Sequence, residues 1–176
     1  MCAWISVDVE ADGPCPGEYS MIQIGAVLVD LEGNLDQTFY GELAPISDKF
    51  VQEALNVVGV TRQETRRYPY PRVTMKQFNR WLWSVSPGGH VYFCADNNGF
   101  DWQFVNYYFH RYLGRNPFGF SSQNLNSLWK GMNKHGGKTI KKLRKTKHTH
   151  NPVDDAKGNA EALLAMVNEH GLRWEL

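Results

Sequence analysis

Ala3-Trp-Ile-Ser-Val-Asp-Val-Glu10 alternates with a two-residue period. Ile5, Val7 and Val9 fall on one side and Ser6, Asp8 and Glu10 on the other, the pattern of a half-buried strand. The next residues, Ala11-Asp-Gly-Pro-Cys-Pro-Gly17, are turn formers. Ser20 to Val29 reads as a second strand and Leu35 to Leu43 as a third, with Glu32-Gly33-Asn34 turning between them. Short turns of this kind join antiparallel neighbours.

Further along, residues 47–66 suggest short helical pieces. Thr74 to Val85 sets Phe78, Trp81, Leu82 and Val85 on one helical face and stops at Pro87-Gly88-Gly89. Val91 to Ala95 is a compact apolar strand, Asp101 to Leu113 an aromatic helix ending at Gly114, and Ser121 to Lys134 a further helix. In the last helix Asn151 is a natural N-cap, Pro152 fits the first turn and Gly171 is the expected stop. A strand meander followed by alternating helices and strands predicts one α/β domain with a mixed sheet covered by helices.

Composition narrows the class. The 176 residues are 42% hydrophobic and 21% charged, which excludes a disordered or fibrous chain. No apolar run approaches the ~20 residues of a membrane span, so no membrane association is expected. Met1 to Glu10 lacks a basic n-region, which argues against a signal peptide. Cys2, Cys15 and Cys94 form no CxxC pair and suggest a reducing, cytoplasmic setting.

The net charge of +1 hides a strong asymmetry. Residues 1–101 carry 7 Lys and Arg against 13 Asp and Glu, whereas residues 102–153 carry 10 Lys and Arg and no acid. The densest part is Lys138-Thr-Ile-Lys-Lys-Leu-Arg-Lys-Thr-Lys147. A long stretch without a carboxylate points to a polyanionic partner, although a basic run alone is equally a solvated surface.

Three groups of residues could carry chemistry. Asp8 and Glu10 share one face of the first strand, where like charges repel. They suit a hard cation such as Mg²⁺ or Mn²⁺, or else a solvent-facing edge. Asp101 follows Asn97-Asn98-Gly99-Phe100 directly after the Val91–Ala95 strand, where open α/β sheets place their sites; it is also an ordinary helix N-cap. His150-Asn-Pro-Val-Asp-Asp155 puts Asp155 in the first turn of the last helix, where the macrodipole favours a carboxylate. Asp154 diverges to a different face. His148 is the weaker histidine candidate, because five residues on it meets Val153 rather than an acid.

Together, in order, Asp8-Val-Glu10 with Met21-Ile-Gln-Ile-Gly-Ala-Val27, Asn97-Asn-Gly-Phe-Asp101 and His150-x4-Asp155 resemble the DEDDh exonucleases. That family includes the proofreading subunit of DNA polymerase III, RNase T and oligoribonuclease. The resemblance runs from about Trp4 to Val167. Ala11-Asp-Gly-Pro14 and Pro16-Gly-Glu-Tyr-Ser20 are similar to small stand-alone bacterial and phage exoribonuclease-like members. Asp96 stands where the family often has His, which removes any contact made by that His.

The resemblance implies a ribonuclease H-like fold over residues 1–176, a single DEDDh exonuclease domain with three antiparallel strands followed by parallel ones. It implies two divalent cations, Mg²⁺ or Mn²⁺, held by Asp8, Glu10, Asp101 and Asp155, with His150 as general base on the attacking water. The reaction would be 3′→5′ removal of nucleoside 5′-monophosphates from single-stranded nucleic acid with a free 3′ end. The subgroup leans to RNA. A DNA exonuclease of repair or proofreading type, or a non-catalytic binding module on the same fold, stands as the alternative. Lys141, Lys142 and Lys145 are expected to guide the phosphate backbone, and Tyr19, Phe100 and Trp102 to stack a terminal base. Ala11, Asp12 and Met21, in the segments that carry the resemblance, are expected at the substrate as well. RNase T and oligoribonuclease dimerise, so a homodimer is compatible.

Overall fold

A computed structural model describes residues 2–137 and 139–173. Lys138, the first residue of the dense basic run, lies outside the described residues. The elements in chain order are β1 (Ala3–Ala11), β2 (Met21–Val29), β3 (Thr38–Glu42), α1 (Gln52–Val58), α2 (Arg62–Thr65), α3 (Pro71–Val85), β4 (Val91–Ala95), α4 (Asn98–Leu113), β5 (Ser122–Asn124), α5 (Leu125–Asn133), a 3-10 turn (Ile140–Leu143) and α6 (Pro152–Asn168). The five strands form one sheet in the order β3-β2-β1-β4-β5. β1 runs antiparallel to β2, and β2 to β3, while β1–β4 and β4–β5 are parallel. This is the mixed α/β sheet expected from the sequence.

The two-residue period of β1 sorts its side chains between two layers. Ile5, Val7 and Val9 enter a core with Phe78 and Leu82 of α3 and Phe104, Tyr108 and Phe109 of α4. Ser6, on the other face, donates from its hydroxyl to the Ala156 carbonyl of α6 at 2.8 Å. Below α6 a second core gathers Val27, Val29, Cys94, Leu125, Trp129, Ala160 and Leu163. Small residues on the buried side of α6 (Ala156, Gly158, Ala160 and Ala162) let it lie close against the sheet.

Some boundaries differ from expectation. Ser122–Asn124 is a short strand parallel to β4, so the helix read from Ser121 begins only at Leu125. Its residues, Ser-Gln-Asn, have no apolar signal, because pairing with β4 and not a buried face makes them a strand. α4 starts at Asn98 after Asn97, which places Asp101 in the first turn and not at the cap. α3 starts earlier, with Pro71 in its first turn. Asn151 caps α6 as expected, accepting from the backbone N–H of Val153 and Asp154. The helix ends at Asn168, before Gly171, which takes a left-handed φ of 74°. Among the described residues, no helix is long and apolar enough to cross a membrane.

Candidate active site

The acids meet at one end of β1 because of how α6 is seated. Asp8 pairs in register with Gly25 of β2. A Cβ on Gly25 would collide with the backbone of Pro152 and Val153, so only glycine lets the start of α6 rest there. The first turn of α6 is thereby brought over the polar face of β1. One carboxylate oxygen from each of Asp8, Glu10 and Asp155 then lies within 4.8 Å of the others. Asp155 is fully buried.

Asp101 joins from the other side. Its Oδ1 accepts from the backbone N–H of Val9, between Asp8 and Glu10, at 3.0 Å. It stands outside the close trio, but its charge acts on Asp8. Burial, followed by repulsion from Asp101, Glu10 and Asp155, raises the Asp8 carboxyl well above its usual range. Burial and then Asp155 push Glu10 up to about 8. Asp101 is also raised, first by burial and then by Asp96. Asp96 is thus a further carboxylate beside the site, in the place where the resemblance would put His. Asp8, Glu10 and Asp101, held protonated by burial and mutual repulsion, form with Asp155 a donor set that calls for added positive charge.

One cation is already present. Arg144 Nη2 donates to Asp155 Oδ1 at 2.7 Å, and the Arg144 side chain is only 8% exposed. It reaches inward past Gly158, where a Cβ would strike the guanidinium, and its Nη1 lies 3.5 Å from Asn159 Oδ1. The basic run is therefore not one solvent-facing stripe. Its single arginine turns in, while Lys141, Lys142, Lys145 and Lys147 stay exposed. Glu161 of α6 anchors the segment by accepting from the backbone N–H groups of Lys145 and Thr146 and from the Thr146 hydroxyl. A cleft of about 590 Å³ between Gly33–Asp36 and α6 is lined by Lys142, Lys145 and Lys157, with Arg144 also in its wall.

Both histidines reach Asp155. The His150 backbone N–H donates to Asp155 Oδ2 at 3.0 Å, and His150 Nδ1 lies 4.0 Å from Glu10 Oε1. His148 Nδ1 lies 2.5 Å from Asp155 Oδ1. The His148 ring thus reaches an acid seven residues on, although the residue five on from it is Val153. His150 adopts a left-handed φ of 59°, and the His148 and His150 rings meet edge to face at 4.4 Å. Asp154 turns away, its Oδ2 accepting from the Thr149 hydroxyl.

The expected substrate contacts divide. Ala11, Asp12 and Met21 are closed off: Ala11 and Met21 belong to the core. The Asp12 carboxylate is buried against Arg62 at 2.6 Å and accepts from the Ser20 N–H, so it fastens the loop after β1 instead of meeting a ligand. Tyr19, Phe100 and Trp102 are half-buried. Tyr19 covers the backbone of Gly13, Phe100 packs on Phe104, and Trp102 stands edge-on to Phe93 at 5.2 Å. Arg144 was not singled out from the sequence. Gly158 was the available signal, since a glycine inside a helix lowers its stability and marks a close approach.

The sheet brings Asp8, Glu10, Asp101 and Asp155 to one place with His150 beside them, the arrangement that the sequence resemblance to DEDDh 3′–5′ exonucleases implies. The comparisons narrow this class. Residues 4–167 match the 3'-5' exoribonuclease Rv2179c-like domain, and the chain belongs to that family. It is 41% identical over 131 residues to the Escherichia coli 3'-5' DNA exonuclease Cap18, covering 73% of this chain and 68% of that protein. Among solved structures, cell-death related nuclease 4 (CRN-4) superposes with a TM-score of 0.76 at 18% identity, over 95% of this chain. This chain spans 65% of CRN-4. The nuclease domain of 3'hExo, a DEDDh family member bound to rAMP, gives 0.75 at 16% identity, over 99% of this chain and 96% of that one. E. coli Exonuclease I in complex with a dT13 oligonucleotide gives 0.76 at 16% identity, over 97% of this chain and 42% of that one. At these identities the structural likeness speaks for the fold.

Proposed function

We propose that this chain is a metal-dependent 3′→5′ exonuclease that shortens single-stranded RNA from a free 3′ end, releasing nucleoside 5′-monophosphates. The observation that carries the reading is the convergence of Asp8, Glu10 and Asp155 within 4.8 Å, with His150 Nδ1 4.0 Å from Glu10. Asp8, Glu10, Asp101 and Asp155 would hold two divalent cations, Mg²⁺ or Mn²⁺. Such cations, when bound, stabilise charge on the attacking and leaving oxygens of an in-line displacement at phosphorus.

The chain's own residues do the rest. His150, outside the helix and 42% exposed, takes a proton from the attacking water on its ring. Its backbone N–H and the Arg144 guanidinium hold the two oxygens of Asp155 in place. Exposed Lys141, Lys142 and Lys145, a few residues before His150, meet the phosphate backbone. Half-buried Tyr19, Phe100 and Trp102 offer ring faces or edges to the terminal bases.

DNA is the second reading, favoured by the 41% identity to Cap18, a DNA exonuclease. RNA is favoured by the match to an exoribonuclease domain over residues 4–167. The test uses 5′-labelled RNA and DNA oligomers, single and double stranded, with Mg²⁺, Mn²⁺ or EDTA. A ladder shortening from the 3′ end of single-stranded RNA, absent in EDTA, is the expected result. A faster ladder on DNA reverses the sugar preference. Asp155→Asn should abolish the ladder and Asp154→Asn should leave it; no cleavage of either polymer with either metal overturns the reading.

A further inference from the structure

Two groups of metal-ligating side chains share Asp155. One is the trio with Asp8 and Glu10. The other joins Asp155 to His148 and His150, with one ligand atom from each within 4.8 Å of the others. The second group differs in chemistry, offering two imidazole nitrogens and one carboxylate oxygen. Mg²⁺ and Mn²⁺ prefer oxygen, whereas imidazole suits Zn²⁺, Ni²⁺ and Cu²⁺, which also bind N and O donors more tightly in general. Three protein ligands with an open fourth position is the arrangement of a zinc site accessible to solvent.

We propose that His148, His150 and Asp155 form a second metal site, selective for a borderline transition-metal dication such as Zn²⁺, and that its occupation switches the exonuclease off. This rests on the reading of Asp155 and His150 as parts of the catalytic site. Asp155 is fixed by burial in the first turn of α6 and by Arg144. The two imidazoles are the adjustable partners, with side chains 56% and 42% exposed. Tetrahedral ligands at about 2.0–2.1 Å from zinc stand ~3.3 Å apart. His148 Nδ1, now 2.5 Å from Asp155 Oδ1, opens slightly to reach that spacing, and His150 swings in from beside Glu10. Their edge-to-face contact at 4.4 Å already puts both rings on one side of the segment. A cation held there takes the His150 lone pair needed for proton transfer and an Asp155 oxygen. Enzyme loaded with Mg²⁺ therefore loses activity as zinc is added.

The test begins with binding, which needs no turnover. The EDTA-stripped full chain is titrated with Co²⁺, whose visible absorption reports ligand geometry, and then with Zn²⁺ as competitor. Wild type should develop an absorption band that Zn²⁺ displaces and excess Mg²⁺ does not. Asp8→Asn should keep the band, and His148→Ala and His148→Gln should lose it. Circular dichroism confirms that each variant is folded. Zinc inhibition of oligonucleotide cleavage is then scaled to each protein's own rate in Mg²⁺. Losing His148 should raise the inhibiting Zn²⁺ concentration by about tenfold or more, at least the cost of losing an outer-shell partner. If Asp8→Asn abolishes the band and the His148 variants keep it, zinc sits among the carboxylates and the second site is wrong. Zinc that binds through His148 without slowing cleavage refutes the switch alone. A band that behaves as expected in a protein with no nuclease activity would keep the site and overturn the catalytic reading.

Discussion

Arg144 Nη2 and Asp155 Oδ1 form a 2.7 Å ion pair whose side chains are 8% and 1% exposed. The pair ties the basic segment to the acidic site through one charge-assisted hydrogen bond. It also explains Gly158, since α6 gives up a side chain where the guanidinium crosses it.

Removing one partner of a buried pair leaves the other charged and unpaired, at a cost of about 3–5 kcal/mol. Arg144→Gln should lower the unfolding free energy read from urea denaturation by an amount in that range and also weaken Mn²⁺ binding, because Asp155 keeps only the His150 N–H and the His148 ring to hold its carboxylate. Arg144→Lys should recover part of the stability, since a point charge cannot reproduce the planar donor geometry. An Arg144→Gln protein as stable and as metal-binding as wild type would show the pair to be idle.

The metal-free site should make the protein sensitive to pH in a defined direction. Glu10 holds its proton to about 8 when folded, against an ordinary 4.5. Asp8 and Asp101 are raised as well. The folded state then binds more protons than the unfolded chain, so this contribution to stability is complete below about 4.5 and is lost as pH rises through about 8. In EDTA the thermal midpoint should fall across that window, and Glu10→Gln should flatten the fall. Saturating Mg²⁺ or Mn²⁺ should stabilise most at the alkaline end, where the carboxylates carry charge without competition from protons. A midpoint that climbs with pH in EDTA would contradict the raised carboxyls.

Gly25 tests whether the site depends on close seating of α6. Gly25→Ala puts a methyl group into the Pro152 and Val153 backbone, which has no rotamer with which to yield. Overpacking of this kind costs about 1–3 kcal/mol. The displaced helix also carries Asp155 away from Asp8. Calorimetry should show the loss of stability, and Mn²⁺ titration at a temperature where the variant is fully folded should show weakened binding. Unaltered metal affinity would mean that the helix tilts without moving its first turn.

Much of this arrangement was legible in the residues. The β1 alternation and the Asn151-Pro152 start of α6 each follow from local rules, and both appear in the structure. The acids were legible because strand interiors rarely hold two carboxylates on one face. The inward turn of Arg144 was not, because nothing in a basic run distinguishes the residue that finds a buried partner across the fold. Asp12 was misplaced for the same reason, its partner Arg62 lying 50 residues away. His148 was read as the weaker histidine because the residue five on is Val153, and that spacing carried no sign that its ring lies against Asp155, seven residues on.

Lys141, Lys142 and Lys145 are exposed and should set the salt dependence of substrate binding. Each phosphate contact on a single strand adds about −0.7 to the slope of log K against log salt. Replacing all three with Gln should make that slope shallower by about 2, with little change in folding stability. Fluorescence anisotropy of a labelled oligonucleotide, in Ca²⁺ to hold back turnover, would measure it. An unchanged slope would place the nucleic-acid path on another face and leave these lysines as solvated surface.

His150 can act as a base, a metal ligand or a structural residue, and the three roles separate experimentally. Its side chain is 42% exposed, so His150→Ala should leave thermal stability near wild type. Its link to Asp155 runs through the backbone N–H, which alanine keeps. The Asp155 carboxylate should therefore stay in place, and Mn²⁺ affinity with it. What alanine removes is the ring beside Glu10. If that ring accepts the proton of the attacking water, single-turnover cleavage should slow by about 10²–10⁴-fold, the usual worth of a positioned base. A variant that loses stability and Mn²⁺ binding in step would make His150 structural, since the left-handed backbone there would then depend on its side chain. Near-normal cleavage would remove His150 from the mechanism and leave the acids to work with another base.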